Sequence, residues 1–322
     1  MALLRKINAK AKTTIDTGFG ENASNYGGRF LNKDGQPNIT KTGLGFMEQY
    51  SWYHSMLAMS GTHFFLTILS FYILVNILFT IIYYMVGVEH LSGLAETNSS
   101  VDKFIETFFF SSQTFTTVGY GRISPVGFAT SAVAAFQALI GLLSFAVATG
   151  LMYGRFSRPR AYLKFSHNAV IAPYKNITAM MFRIAPFKNA TLTDAEAKLT
   201  LGLTVEENGK FVNKFFPLEL EIDKVNALTL SWTVVHPITE NSPLYNFSEA
   251  DFKNTHGEVL LFVKAFDDMF SNTVVARSSY TFNEVVYGAR FSPMYHKNEI
   301  HSGTVLELSR LNDFTSVNLK EN

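Results

Sequence analysis

The chain has 322 residues, and its 27 basic and 26 acidic side chains give a net charge of +1, which argues against nucleic-acid binding through bulk charge. It contains no cysteine, which excludes disulfides, thiol catalysis, iron–sulfur clusters and cysteine zinc sites. Charged residues are only 16% of the chain, which indicates a membrane portion joined to a polar soluble portion.

The N-terminal region contains two predicted segments. Residues 1–44 are polar and rich in glycine and asparagine, which predicts a flexible cytoplasmic segment. The next stretch, 45–59, has apolar side chains on one helical face, and these are Phe46, Tyr50, Tyr53 and Leu57. This pattern predicts an amphipathic helix that lies on the inner membrane surface. The alternative is a simple N-terminal extension of the span that follows.

Two long windows carry no charged residue, one between Glu48 and Glu89 and one between Arg122 and Arg155. Each exceeds the roughly 20 residues that a helix needs to cross about 30 Å of hydrocarbon. They predict transmembrane helices over about 62–88 and 126–156, and buried helices of a soluble core are the alternative. Asn76 in the first span is a candidate helix–helix contact.

Basic residues predict the orientation in the membrane. The segment before Glu48 carries seven Lys and Arg residues, whereas the loop between the spans carries two. Four cations follow the second span, namely Arg155, Arg158, Arg160 and Lys164. The positive-inside rule therefore places both termini in the cytoplasm of a multi-pass protein of the cell (inner) membrane.

From residue 158 onward short apolar or alternating runs recur between turn residues. The predicted strands are Lys198–Val205, Phe216–Ile222, Ala227–Val235, Val259–Phe266, Thr273–Phe282 and Val305–Leu308. Strands at this spacing predict a cytoplasmic β-sandwich over 158–322. The pore-forming part is then 60–157.

The loop between the spans carries the chemistry. A short helix is predicted from residue 103, and it leads into Thr117, Val118, Gly119, Tyr120 and Gly121, the filter sequence of potassium channels. An ion that loses its water in a narrow pore needs backbone carbonyls to replace that water. Carbonyls that all face one way require alternating backbone handedness, which the two glycines permit. We expect K⁺ at the carbonyls of residues 117–120, and no cofactor.

One chain supplies one filter segment, whereas a ring of carbonyls around an ion needs four. The sequence therefore predicts a homotetramer. Phe108, Phe109, Phe110 and Phe115 are available to support the Val118 and Tyr120 side chains.

Two spans around this filter, with an amphipathic helix before them and a β-domain after them, resemble the prokaryotic inward-rectifier potassium channels, the KirBac family. Further matching motifs are Arg155–Pro159, Phe165–Ile171, Ser231–Val234, His236–Ile238 and Arg277–Tyr280. The resemblance implies an immunoglobulin-like sandwich and gating from the cytoplasmic side. It implies a pore lining and gate formed by Phe145, Thr149 and Tyr153, and a cytoplasmic constriction loop at about Asp268–Ala276, including Met269. Gly141 and Gly150, on the same predicted helix, are expected points of bending, because glycine lowers local helix stability by about 1 kcal/mol.

The resemblance also exposes departures. Strong rectifiers carry an acid at the position of Phe145 to hold Mg²⁺ or polyamines, so only weak block by these cations is expected. Many members carry a glutamate where this chain has Gln113, which leaves Arg122 without the family's partner.

Two surface features have competing interpretations. Arg155, Arg158, Arg160 and Lys164 could bind anionic lipid headgroups, or they could act only as a topology signal. Asp267 and Asp268 could form an acidic ring around a cytoplasmic pore, or they could belong to a solvated turn. For the whole chain, a K⁺-selective channel is the leading hypothesis. The rival hypothesis is a membrane-anchored sensor or binding module with a vestigial or non-selective cation pore.

Overall fold

The computed structural model of the chain describes residues 11, 13, 29–43, 45, 51–95, 99–188, 191–207, 210–298 and 303–319. The chain divides into two compact units. The first, Thr42–Arg158, is the membrane unit, and the second combines Met1–Lys41 with Pro159–Asn322 and is the sandwich unit.

The membrane unit consists mainly of helices. Its described elements, in chain order, are α1 (Trp52–Ala58), α2 (Gly61–Val86), β1 (Leu91–Ser92), α3 (Ser100–Phe115), β2 (Ser124–Pro125) and α4 (Phe128–Phe156). Helices α2 and α4 are long and apolar enough to cross a membrane, and they coincide with the two predicted spans. Strands β1 and β2 pair antiparallel in the loop region between them.

Serine side chains start three of these helices. Ser51, Ser60 and Ser99 accept hydrogen bonds from the backbone N–H groups of His54, His63 and Asp102, three residues further on in each case. Such caps satisfy amide groups that have no partner inside the helix. Because the chain is extended at Met59 and Ser60, α1 is a separate helix. The alternative prediction, in which it merely extends the first span, is wrong for residues 52–58, and Phe46 and Tyr50 lie outside the described residues.

The sandwich unit is mostly β-structure. Its strands are β3 (Leu163–Phe165), β4 (Ala169–Tyr174), β5 (Ile177–Pro186), β6 (Leu192–Glu207), β7 (Lys210–Leu218), β8 (Lys224–Leu228), β9 (Trp232–Pro237), β10 (Gly257–Asp267), β11 (Asn272–Thr281), β12 (Val285–Tyr287), β13 (Ala289–Phe291), β14 (Tyr295–Lys297), β15 (Thr304–Leu306) and β16 (Phe314–Ser316), and helix α5 (Glu249–Asn254) precedes β10.

Two five-stranded sheets form the sandwich. One has the order β11-β10-β6-β7 with β8 also on β6, and the other has the order β12-β4-β5-β3 with β9 also on β5. All of these pairs are antiparallel except β12 with β4. The apolar core between the sheets includes Phe182 and Tyr280, whose ring centroids are 4.8 Å apart. The predicted β-sandwich is therefore confirmed.

Two predicted strands differ from the structure, and several strands were not predicted, among them the long strands β4 and β5. The run Phe216–Ile222 leaves the sheet after Leu218, and the run Ala227–Val235 is interrupted between β8 and β9. Strands β4 and β5 lack polar alternation because their second face is also covered. Val170 and Met181, on these strands, pack against Ala289 and Phe291 from β13.

A stretch of the N-terminal region, residues 29–38, is packed against the sandwich and is called the strap below. The backbone N–H groups of Phe30 and Leu31 donate to the Glu258 carboxylate at 2.6 and 3.1 Å, and both side chains are buried. The Arg29 guanidinium donates two hydrogen bonds, of 3.1 and 2.8 Å, to Glu284. The predicted flexibility of 1–44 is therefore wrong for the strap, because two apolar side chains and two carboxylates hold it in place.

Candidate ion-conduction pathway

The backbone of residues 117–121 alternates in handedness. Among these five residues φ is positive at Thr117 (58°), Gly119 (51°) and Gly121 (83°), but not at Val118 or Tyr120. The positive values at the two glycines confirm the expectation from the sequence. The value at Thr117 could not be read from residue type, because a side chain disfavours this conformation. Successive carbonyls with this alternation can face the same axis.

The base of this segment is held by the end of helix α3. The Gln113 carbonyl accepts hydrogen bonds from Val118 N–H at 2.9 Å and Gly119 N–H at 3.4 Å, and Thr117 N–H donates to the Thr114 carbonyl at 3.1 Å. At position 113, therefore, it is the backbone carbonyl that secures the segment. The C-terminal end of α3, which carries the negative end of the helix dipole, therefore lies next to the segment.

The aromatic side chains near this segment face the outer helix. Phe110 packs against Tyr83, with ring centroids 5.2 Å apart, and Phe115 packs against Tyr72 at 5.9 Å. Tyr120 remains 81% exposed in the single chain. The expectation that Phe110 and Phe115 support the Tyr120 ring is thus wrong within one chain, because both rings are engaged with α2.

An ion pair spans the outer end of the segment. Arg122 Nη2 donates to Glu106 Oε1 at 2.8 Å, and Ala95 N–H donates to Glu106 Oε2 at the same distance. The Ala95 amide and then the Arg122 guanidinium hold the pKa of this carboxyl below its usual range. The absence of a side chain at Gly93 permits a close approach to the backbone of Arg122, since a Cβ there would lie 1.8 Å from the Arg122 carbonyl oxygen. Arg122 therefore has a carboxylate partner on α3. This partner was not identified from the sequence, because only position 113, where this chain has a glutamine, was considered.

The predicted pore-lining residues share one face of α4. Phe145, Thr149 and Tyr153 are spaced four residues apart and are all exposed in the chain, Phe145 and Tyr153 to 73%. Side chains at this spacing form a stripe along one side of a helix. The stripe has no acidic group.

The two predicted hinge glycines have different surroundings, although α4 is one continuous helix through both. A Cβ on Gly141 would lie 1.9 Å from the Phe115 carbonyl oxygen, so the absence of a side chain there permits close packing of α4 on the end of α3. Among the residues that the structure describes, none lies within 4 Å of a Cβ built on Gly150. A hinge at either position remains a prediction.

The four predicted lipid-binding cations fall into two groups. Arg155, in the membrane unit, donates to the Met56 carbonyl of α1 at 3.5 Å, and its guanidinium lies 5.3 Å from the Phe64 ring centroid on α2. It therefore joins the ends of three helices. Arg158, Arg160 and Lys164 are exposed, and the Lys164 ammonium lies 5.4 Å from the Phe187 ring centroid.

The predicted cytoplasmic loop forms the turn between β10 and β11, and its second half, from Asn272, belongs to β11. Asp267 is buried and accepts the N–H groups of Met269 and Phe270 at 3.0 and 3.3 Å. Asp268 accepts a hydrogen bond from the Thr193 hydroxyl at 2.9 Å, and Met269 is exposed. The acidic-ring interpretation is wrong for Asp267, because its carboxylate closes the turn.

Comparison with known proteins agrees with this geometry. Residues 163–321 match the family model described as the inward rectifier potassium channel C-terminal domain, and residues 56–158 match the model described as an ion channel. The inward rectifier potassium channel Kirbac3.1 of Paramagnetospirillum magnetotacticum is 33% identical over 271 residues, which are 83% of this chain and 89% of that protein. This chain belongs to the inward-rectifier potassium channel family.

More distant relatives in the family come from mammals. The ATP-sensitive inward rectifier potassium channel 12 of Mus musculus is 27% identical over 83% of this chain and 67% of its own length. Inward rectifier potassium channel 18 of Homo sapiens is 26% identical over 83% of this chain and 66% of its own length. The resemblance to the prokaryotic branch is thus confirmed, and the chain is a transmembrane member of a potassium-channel family.

The positive φ at Gly119 generates a prediction for Gly119→Ala. No atom of the described part of the chain lies within 4 Å of a Cβ built there, so the cost arises in the backbone and amounts to about 1–2 kcal/mol per chain. We expect loss of Rb⁺ uptake into liposomes that contain the purified variant. Gly127→Ala is the matched control, because Gly127 also has positive φ (85°) and open space but lies outside the segment. Normal, Ba²⁺-sensitive uptake by Gly119→Ala would contradict the filter assignment.

Proposed function

We propose that four copies of this chain assemble around one axis and conduct K⁺ passively through the carbonyls of Thr117, Val118, Gly119 and Tyr120. The observation that carries the proposal is the alternating handedness of residues 117–121 directly after a short helix, between two membrane-spanning helices. Irregular backbone at membrane depth is tolerated where it lines a water-filled path. K⁺ is then the permeant ion, and the protein resides in the cell membrane with both termini in the cytoplasm.

Rb⁺ uptake into liposomes that contain the purified protein tests this function. We expect uptake driven by a K⁺ gradient, blocked by Ba²⁺ and not supported when Na⁺ replaces K⁺ inside the liposomes. A filter of fixed carbonyls discriminates in this way because it replaces the hydration shell of K⁺. Equal Na⁺ flux would indicate a non-selective cation pore. Absence of all flux under every lipid condition would favour the sensor-module hypothesis.

The same proposal predicts weak rectification. Strong block by internal Mg²⁺ or polyamines requires negative charge in the cavity, and the stripe Phe145, Thr149 and Tyr153 supplies aromatic rings and a hydroxyl. These cations then act only as weak pore blockers. Tyr153, near the cytoplasmic end of α4, is the gate, since four aromatic rings that meet at an axis close a pore sterically and by dewetting.

The gate assignment predicts the behaviour of Tyr153→Ala. Loss of four rings widens the constriction, so basal Rb⁺ uptake should rise several-fold over that of the unmodified protein. Met152→Ala is the control, because Met152 is also exposed but lies about 100° away around the helix. Unchanged uptake by Tyr153→Ala would move the gate to the filter or to the β10–β11 turn.

Anionic lipid is the proposed modulator. In the sandwich unit, a cleft of about 590 Å³ is lined by residues that include Lys33, Arg160 and Arg277. Each cation near an anionic surface contributes about 1 kcal/mol to binding. Lipid changes the activity only if it binds the open and closed states differently. Arg155 contributes less directly, since it already contacts α1 and α2.

Joint neutralisation of Arg158 and Arg160 to glutamine tests the lipid proposal. The response of Rb⁺ uptake to anionic lipid, in whichever direction it runs, should shrink because the headgroup loses two cations per chain. Neutralisation of Lys224 and Lys253, two exposed cations of the sandwich that pair with Asp194 and Glu249, controls for the change in net charge. A full lipid response in the Arg158 and Arg160 double variant would leave these cations as a topology signal only.

A further inference from the structure

A network of buried, hydrogen-bonded polar side chains crosses the membrane unit behind the filter. Its members are Asn76 and Tyr83 on α2, Ser111 on α3 and Gln137 on α4, and all four have no exposed surface. Polar groups are costly at membrane depth unless they pair with one another. Gln137 lies in a helix that has no charged residue before Arg155. Four buried polar side chains at this depth indicate a function for the network.

The hydrogen bonds among these four side chains have a defined direction. The Tyr83 hydroxyl donates to Gln137 Oε1 at 2.8 Å, and Gln137 Nε2 donates to the Ser111 carbonyl at 3.0 Å and to the Ser111 hydroxyl at 2.6 Å. The Ser111 hydroxyl donates to Asn76 Oδ1 at 2.9 Å, and Asn76 Nδ2 donates to the Tyr72 carbonyl at 2.8 Å. Because a carbonyl can only accept, the Ser111 and Tyr72 carbonyls fix the orientation of both amides.

A second contact lies one helical turn along α4. Gly141 follows Gln137 by four residues and therefore faces the same way. Its backbone meets the Phe115 carbonyl so closely that a Cβ would lie 1.9 Å from the oxygen. Ser111 and Phe115 are likewise four residues apart, on the last turns of the helix that leads into the filter. Two points on α4 thus face two points on α3.

Two contacts one turn apart fix both the height and the rotation of one helix against another, whereas a single contact leaves rotation free. The filter starts two residues after α3 ends, and the Gln113 carbonyl between the two contact points holds Val118. A shift of α3 therefore changes the positions of the filter carbonyls. Gly150 and Tyr153 lie beyond both contacts, towards the cytoplasmic end of α4.

We propose that Gln137 is a positioning residue for the filter, which holds α3 at the height and rotation that set the spacing of the carbonyl ring. The proposal rests on the K⁺-channel function argued above. It divides α4 into a part fixed to the filter helix, up to Gly141, and a part beyond it that is free to move at the gate. Gln137 acts through Ser111 and does not touch the ion.

Four variants test the proposal, with two readouts: the ratio of Rb⁺ to Na⁺ uptake, and the heat stability of the tetramer on a denaturing gel. Gln137→Leu removes both bonds to Ser111 and leaves the Tyr83 hydroxyl buried without a partner. We expect the uptake ratio to fall roughly tenfold and the tetramer to lose heat stability.

Tyr83→Phe removes one hydroxyl and should lower the uptake ratio less. Tyr84→Phe is the matched control, since Tyr84 is the adjacent residue on α2 and its hydroxyl lies outside this network.

The fourth variant combines Tyr83→Phe with Gln137→Leu and separates positioning from stability. Removal of both polar partners leaves no unpaired hydroxyl, so heat stability should recover in part. The uptake ratio should remain low, because Ser111 still lacks its contact with α4. If the uptake ratio recovers together with heat stability, or if Gln137→Leu keeps the ratio of the unmodified protein, the proposal is overturned.

Two further outcomes are also decisive. If Gln137→Leu does not assemble, the comparison of Tyr83→Phe with Tyr84→Phe decides, because both keep the ring and differ only in which hydroxyl is lost. Equal uptake ratios in these two variants would overturn the proposal. If the unmodified protein itself takes up Na⁺ as readily as Rb⁺, the proposed channel function fails, and this result is visible before any variant is compared.

Discussion

The proposed conduction of a dehydrated cation requires oxygens that all face it, and the backbone of residues 117–121 alternates in handedness as this requires. Thr117, Gly119 and Gly121 have the positive φ values, and Thr117 does so despite its Cβ. Such a backbone makes no regular hydrogen bonds of its own, so it depends on neighbouring elements. Much of the membrane unit is arranged around that need: α3 supplies carbonyls for the segment's amides, and α2 and α4 hold α3.

The segment is supported at both ends by different chemistry. At its base the contacts are backbone carbonyls and a neutral polar network, which suit a site away from water. At its outer end the support is ionic, through Glu106 and Arg122, where water screens the charges. Both kinds of support converge on α3, which carries Glu106 on its second turn and Ser111 on its fourth. One helix of 16 residues therefore supports both ends of the 117–121 segment.

Structural features that depend on residues close together in the sequence could be predicted from it. The two spans depend on apolar runs, and the positive φ at Gly119 and Gly121 depends on residue type, so both were predicted. The short helix was predicted from residue 103, whereas α3 begins at Ser100, after the capping Ser99. Glu106 and Arg122 are 16 residues apart and meet only after the loop folds, so residue type could not pair them. Strands β4 and β5 were missed because a second apolar layer hides their alternation. The strap was misread because Phe30 and Leu31 are two apolar residues within a polar stretch, and their acceptor, Glu258, lies 228 and 227 positions away.

The strap changes how the chain's connectivity should be understood. Because residues 29–38 bind the same sandwich that resumes at Pro159, the membrane unit is an insertion within a discontinuous domain. Both ends of this insertion are therefore covalently joined to the same domain. A single proteolytic nick between the strap and α1 would leave the severed N-terminal peptide bound through Arg29, Phe30 and Leu31, yet it would remove one of the two tethers. The covalent link of the N-terminal segment to the membrane unit and its attachment to the sandwich are thus separable properties of this chain.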